Sequence, residues 1–523
     1  MLKTGHITLS GAPEGFDARL VARELDERGG AVVHVARDDR RLEAMRAALA
    51  VFAPQAPVLT FPAWDCLPYD RVSPNPEISA ARMATLAGLA RGVPGPFVLL
   101  TTLNAATQRI PARAVLRDGS FVAEVGTRID EAALRAYLVR MGFAQSPTVT
   151  APGEFALRGG ITDIYPPGAE APVRLDMFGD VLDGARRFDP ATQRTTEKLD
   201  RIELAPVCEV ILDDDAIARF RQRYRAEFGA AGAEDPLYEA VSAGRKHAGM
   251  EQWLPFFHEA LETLFDYLPD ASVMLDDQTG AARAARWESI GEQYAARREA
   301  LAERARRDSV YKPCPPEALY LDDVAWHDAL TAHRVLQLAP MPRPTGAGVV
   351  DAGGRVGRNF APERQQQNAN LFSALADHVA VMHEVGHVVL ASYSEGARER
   401  LAGLIADEGI AGAVEIRDMR ALPEGKGGVF LVVWPLEHGF EAPGLTVISE
   451  QDVLGDRLIR KPAKRKRADA FLTEAQTLSQ GDLVVHVEHG IGRYTGLETI
   501  KAAGAPHECI ALEYAGGDRL YLP

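Results

Sequence analysis

Residues 158–180 read RGGITDIYPPGAEAPVRLDMFGD, two short strands around a Pro/Gly turn. From Val173 to Phe178 the two-residue period of a strand puts Val173, Leu175 and Met177 on one side and Arg174, Asp176 and Phe178 on the other. One aromatic ring therefore stands among charges. In the preceding segment Phe155, Leu157, Ile161 and Tyr165 are expected to share the apolar register, with Arg158 and Thr162 opposite. If these strands pair, Arg158, Arg174 and Phe178 fall on one outward face, and arginine beside an aromatic is the composition of a protein-binding hot spot. The plainer alternative is a charged outer face whose phenylalanine is covered by a neighbouring helix.

Read together with RRFDPATQRT at 186–195, the stretch resembles the domain that the excision-repair protein UvrB shares with the bacterial transcription-repair coupling factors, where it docks onto UvrA. The resemblance implies that Arg158, Arg174 and Phe178 match the family's UvrA contacts. Each arginine would give charge-assisted hydrogen bonds to acidic groups, and Phe178 would be the buried anchor.

Bulk composition sets the frame. A chain of 523 residues has room for about three to four domains. With 46% hydrophobic and 25% charged residues it reads as a soluble globular protein. No run of about 18 apolar residues occurs, and MLKTGHITLSGAPEG has no signal-peptide core, so a cytoplasmic, membrane-free protein is expected. Cys66, Cys208, Cys314 and Cys509 are too scattered for a metal knuckle or a disulfide framework and are read as reduced. The net charge of −15 argues against wrapping nucleic acid, which draws on clustered Lys and Arg. Protein partners fit better.

The chain opens as strand, loop, amphipathic helix and strand, the start of a RecA-like nucleotide-binding unit assigned to 1–114. A working phosphate loop needs GxxxxGK[ST]. Counting from Gly11, the Gly, Lys and Ser/Thr positions hold Phe16, Asp17 and Ala18, and a carboxylate where the cation belongs repels phosphate. ATP hydrolysis, and with it ATP and Mg²⁺ as cofactors, is therefore not expected of this chain. The Pro-rich aromatic segment from Phe61 reads first as core packing under a loop. It also resembles the coupling factors' version of UvrB, with a link from Asp70 to Ile78 too short for UvrB's damage-probing hairpin, so lesion verification is not expected. Residues 115–205 form an insert domain and 206–345 a helical part whose aromatic stripe reads as core. A Gly/Pro-rich linker spans about 341–358, and strands alternating with helices make 346–455 a separate small α/β domain of opaque role.

His383, Glu384 and His387 spell HEVGH, the zinc-protease pattern, with Glu408 as a candidate third ligand. That chemistry needs one continuous helix. Gly386 sits where a helix would end and His387 runs into the strand-like VVLASYS, where residues four apart lie about 13 Å from each other. The pattern is read as a turn-and-strand coincidence, with no metal.

Residues 456–477 form a basic linker, including IRKPAKRKRADAF at 459–471, read first as solvated and second as a phosphate contact. From 478 to 523, short alternating strands punctuated by glycine suit a small SH3-like barrel. VVHVEHGIGRYTG within it resembles the polymerase-interacting module shared by the coupling factors and CarD-type regulators; His486 and His489 are read as turn chemistry rather than metal ligands. The resemblance implies binding to the RNA polymerase β subunit and matches Ile500 to the family's contact leucine, with the KAAGAPH segment after it read as a loop. The barrel is expected to be incomplete at Pro523.

The fold class expected is thus α/β multidomain: a degenerate RecA/UvrB-like unit, a small insert, a second small α/β domain and a CarD-type barrel. The resemblance implies a DNA-repair adaptor, monomeric, with UvrA and polymerase as partners. The family's ATP-driven motor, through which double-stranded DNA is mainly gripped, and its C-terminal regulatory domain are expected to be absent, leaving the UvrA surface open. The enzymatic alternatives are a UvrB-like ATPase and a zinc peptidase.

Overall fold

The computed structural model of the chain describes residues 5–229, 235–303, 311–344, 346–366, 370–410, 412–425, 427–455, 481, 483–486, 490–502, 505–514 and 517–522. It divides into two compact units, 1–455 and 456–523. The first is built on a seven-stranded parallel sheet. Its order is Val349–Asp351, β1 (Gly5–Ser10), Arg334–Ala339, Ser272–Leu275, Ala31–Ala36, Phe97–Thr102 and Val58–Phe61. A parallel sheet covered on both faces needs continuous apolar strands, and FVLLTT at 97–102 is buried throughout.

Two helices, α1 (Phe16–Arg28) and α2 (Asp39–Phe52), cover one face. The other side of those helices meets a second sheet of six strands, ordered Arg355–Val356, Phe440–Ala442, Leu445–Ser449, His387–Ser392, Val429–Val433 and Val414–Glu415. One buried cluster runs through all three layers, from Leu9 and Val98 through Phe16, Leu20 and Leu49 to Val432, Trp434 and Phe440. Residues 346–455 supply all six strands of this second sheet and a buried cluster of their own around Phe360, Leu375, Leu390 and Leu431, and they also share the three-layer cluster with the start of the chain. The 341–358 segment, expected as a linker, contributes strands: Val349–Asp351 joins the first sheet and Arg355–Val356 the second.

Residues 206–345 also differ from the helical reading, because they supply two inner strands of the first sheet, Ser272–Leu275 and Arg334–Ala339. Their helices carry an aromatic core of Phe220, Tyr224, Tyr238, Phe256 and Phe257. Within this part, residues 236–257 form three short helices, Pro236–Ser242, Met250–Trp253 and Leu254–Phe257.

The insert is a six-stranded sheet ordered Thr195–Leu199, Val181–Phe188, Val173–Phe178, Ile161–Ile164, Glu154–Arg158 and Ala144–Gln145. The helix Glu131–Arg140 and the strand pair Phe121–Glu124 with Arg201–Leu204 complete its core around Leu134, Leu138, Phe155, Leu175 and Ile202.

The second unit is a four-stranded antiparallel sheet, Leu483–His486, Gly490–Ala502, Ala505–Glu513 and Arg519–Leu522, with Tyr494, Ile510 and Leu512 buried. Two of its strands are long rather than short. The segment expected as a loop after Ile500 is mostly strand: Ile500 pairs with His507 and Ala502 with Ala505. The basic run at 459–471, the whole of 456–477, and His489 lie outside the described residues.

Candidate protein-docking surface

Two tight hairpins build the surface. Gly159 and Gly160 have φ of 43° and 75°, the positive values that a two-residue turn needs to follow strand twist. This turn sets Arg158 directly opposite Ile161 and Leu157 opposite Thr162. Directly opposed residues share a face, so the expected register is corrected. Ile161 stands outward beside Arg158, Thr162 is buried inward, and Tyr165 packs on the outer side with Val149, Ala156 and Phe188. The second hairpin opposes Phe178 to Val181, and the Met177 N–H donates to the Gly160 carbonyl at 2.7 Å, tying the two turns together.

On the inner face Phe155, Ile164, Val173, Leu175, Leu182 and Ala185 are buried. Arg158, Arg174, Asp176 and Phe178 share the outer one. Phe178 is 80% exposed, so among the described residues no helix covers it as the plainer alternative would have it. From strand spacing and rise, the three Cα atoms of Arg158, Arg174 and Phe178 form a triangle of about 12–13 Å sides.

The arginines do not converge. The Arg158 guanidinium donates to the Pro147 carbonyl and, at 3.3 Å, to Thr148 Oγ1, leaning over the 146–148 segment and away from Phe178. It borders an open concavity of about 600 Å³ lined by Gln145, Ser146 and Pro147. Arg174 Nε and Nη2 donate to both oxygens of buried Asp163, at 2.7 and 2.9 Å, and Nη1 to the Gln193 carbonyl at 3.3 Å. Its guanidinium carbon lies 4.7 Å from the centre of the Phe188 ring. The hydrogen bonds to Asp163 hold the Arg174 pKa above its ordinary value, against the opposing effect of burial. Three of the five N–H groups of Arg174 are thus engaged inside its own domain, so the two arginines share the outer face without their guanidiniums converging. With Cα atoms so far apart, each reaches its nearer acceptors first.

Asp163, Phe188 and Gln193 were not singled out in the sequence. The one signal for them is the Asp163/Arg174 pairing across neighbouring strands, visible only once the register is known. Gln193 belongs to RRFDPATQRT, whose Asp189 carboxylate accepts from the N–H groups of Ala191 and Thr192 and from the Thr192 hydroxyl. Those three bonds, the Thr192 N–H foremost, lower the Asp189 pKa and shape the loop that aims the Gln193 carbonyl at Arg174.

At the expected phosphate loop the space is filled from within. The Gly15 N–H donates to Asp17 Oδ1 at 3.0 Å, where a phosphate oxygen would sit in a working loop. Asp17 is ion-paired to buried Arg41, which also donates to Asp276 at 3.2 Å, while Arg37 bridges Asp276 and Glu14. Burial pushes the Asp17 carboxyl up to about 6, with Arg41 pulling the other way. For Arg41, burial is outweighed by Asp17 and Asp276, so its pKa rises. The Phe16 ring packs at a tilt against Phe440, centres 5.6 Å apart, Ala18 is buried in the same core, and the Gly354 N–H donates to the Gly11 carbonyl.

The HEVGH residues fall on two elements. The helix Leu371–Val385 ends at Gly386 and the strand His387–Ser392 follows, so His383 and His387 do not share a helix. His387 Nε2 lies 2.9 Å from the Pro423 carbonyl, and Glu408 accepts from Asn370. Among the described residues no group of three or more His, Cys, Asp or Glu side chains is placed to hold a metal ion. Among them, too, no helix is long and apolar enough to cross a membrane.

Fold and surface together define an α/β protein of several sheets, one of them an inserted six-stranded sheet with an exposed aromatic on its outer face. Residues 121–209 match the UvrB interaction domain and residues 478–523 the CarD-like/TRCF RID domain. The chain is 33% identical to the transcription-repair-coupling factor of Escherichia coli (strain K12), over all of this chain and 45% of that protein. It is 32% identical to that of Myxococcus xanthus over 94% of this chain and 42% of the relative, and 27% identical to that of Bacillus subtilis (strain 168) over 89% and 40%. The chain belongs to the transcription-repair-coupling factor family, and it spans less than half the length of these relatives.

Proposed function

We propose that this chain is the adaptor portion of a transcription-coupled DNA repair factor. Its inserted sheet recruits UvrA for nucleotide-excision repair, and its C-terminal sheet, read as part of a CarD-type barrel, binds the RNA polymerase β subunit through the strand that carries Ile500. The observation that carries this reading is Phe178, a large aromatic 80% exposed on the outer face of a domain matching the UvrB interaction domain. An exposed ring of that size between charged neighbours is the anchor type found at interface centres.

The first layer is read as a RecA/UvrB-like fold that no longer handles nucleotide. Support comes from Phe16 and Asp17 in the loop and from the ion pairs to Arg41 that fill it. In this reading no ATP, Mg²⁺ or other cofactor is used by this portion, and no catalysis occurs in it. ATP-dependent translocation, with its grip on duplex DNA, belongs to the rest of the family protein. A monomeric, cytoplasmic chain fits these partners.

Size-exclusion chromatography of the chain with purified UvrA, and separately with a polymerase β fragment, tests both arms. Co-elution with each is the expected result, and separate elution from either removes that arm.

A further inference from the structure

Resting on the UvrA reading, we infer that Arg174 is a positioning residue: anchored by Asp163, it fixes Arg158 for the partner through Gln193 and the 147–149 segment. Arg174 engages both oxygens of the Asp163 carboxylate and has an aromatic ring against its plane, and with its side chain 19% exposed less of the guanidinium is left for another protein. What it does reach is the Gln193 carbonyl. Gln193 in turn sends its Nε2 to the Val149 carbonyl at 3.1 Å and to the Pro190 carbonyl at 2.8 Å. Its backbone sits at φ of 60°, a conformation that a non-glycine residue keeps only when its surroundings hold it.

Val149 continues the segment whose Pro147 carbonyl and Thr148 hydroxyl receive the Arg158 guanidinium, and Ser146 Oγ donates to the Thr148 carbonyl at 2.8 Å to close that turn. From Asp163 the contacts run to Arg174, Gln193 and Val149, and the backbone next to Val149 carries them on to Thr148 and Pro147, which hold Arg158. Arg158, exposed beside its open concavity, is the cation that meets an acidic group on the partner, and Phe178 enters an apolar pocket next to it. An arginine aimed in advance loses less side-chain freedom on binding, which is where such a support acts.

The two roles of Arg174 make opposite predictions for its buried partner. Removing the Asp163 charge would free a contacting arginine and leave or strengthen docking, whereas it would loosen a positioning one and weaken docking. Asp163→Asn, Gln193→Ala and Arg174→Gln are to be compared in the full chain for affinity to purified UvrA, alone and combined with Arg158→Ala, with melting curves as the folding control. About tenfold weaker binding is expected for each of the three, with most of that loss absent once Arg158 is already alanine. Undiminished binding by Asp163→Asn, or full additivity with Arg158→Ala, overturns the inference.

A second readout needs no UvrA. Modification of Arg158 by phenylglyoxal in the free chain, located by mass spectrometry, should be several-fold faster in Asp163→Asn and Gln193→Ala than in the unmodified sequence. An unchanged rate overturns the link between these residues. If Phe178→Ala leaves UvrA affinity intact while the Arg158 rates change as expected, the internal link stands and it is the UvrA reading that fails.

Discussion

The ring of Phe16 lies 5.6 Å from that of Phe440, so the residue occupying a glycine position of the phosphate-loop pattern is a core contact between two α/β layers. Around it, Gly11 takes φ of +66°, and a Cβ there would come within 2.6 Å of the Gly354 carbonyl oxygen. The space that nucleotide would need is part of the domain packing.

Gly11→Ala should therefore cost about 1–3 kcal/mol through backbone strain and this clash, read as a lowered melting temperature. Neither Gly11→Ala nor the original sequence should bind labelled ATP. Saturable, stoichiometric ATP binding would contradict the reading of the filled loop.

Asp17 makes stability depend on pH in a direction opposite to an ordinary salt-bridged carboxylate. Its folded pKa, about 6, lies above the ordinary carboxylate value of 3.8, so the folded state takes up this proton first as pH falls. Its stabilising share is complete below about 3.8 and is lost as pH rises through about 6. The Asp17→Asn chain should lack this component, worth up to about 3 kcal/mol for a shift of this size. The measurement is the change in melting temperature from pH 5 to pH 7.5, more negative in the original sequence than in the variant. Equal changes in the two would show that Asp17 is already ionised across that range.

The second unit carries its own prediction. Ile500, in backbone register with His507, sits on a strand running from Gly490 to Ala502. Ile500→Arg should weaken association with a polymerase β fragment at least tenfold by placing a charge in an apolar contact, and should leave UvrA binding alone. Retained affinity in a pull-down or interferometry assay would take Ile500 out of the interface.

The split of HEVGH between helix and strand predicts indifference to chelation. Treatment with EDTA, and the substitution His383→Ala on the partly exposed helix, should each move the melting temperature by no more than about 1 °C, since exposed substitutions away from special features stay within about 0.5 kcal/mol. Stoichiometric zinc retained through gel filtration would reverse this.

Much of the candidate surface was legible because alternation at Val173–Phe178 is a direct record of a half-buried strand. The helix break at Gly386 was legible for a similar reason: glycine followed by β-branched residues carries a local signal. The inner strands Ser272–Leu275 and Arg334–Ala339 were not, because a short apolar run buried on both faces has no period to distinguish it from a helical segment. The joining of 346–455 to the first layer was hidden too. Gly/Pro-rich sequence at 341–358 looks like a free linker until its strands find partners in two different sheets. Within the site, the Gly159–Gly160 turn decided which residues face outward, and a one-residue error there moved Ile161 and Thr162 to the wrong sides. Asp163 could not be read as the holder of Arg174 because a buried carboxylate has no sequence signature apart from the cation that pairs with it.

The most direct test of the central claim is equilibrium binding of the chain to purified UvrA, with and without Phe178→Ala. Phe178 is almost wholly solvent-exposed, so the substitution should leave the melting curve in place. As the anchor of the interface it should lower affinity by about thirtyfold or more, the loss expected at a hot spot of about 2 kcal/mol. Equal affinity of the two chains, with both folded, would contradict the assignment of this face to UvrA.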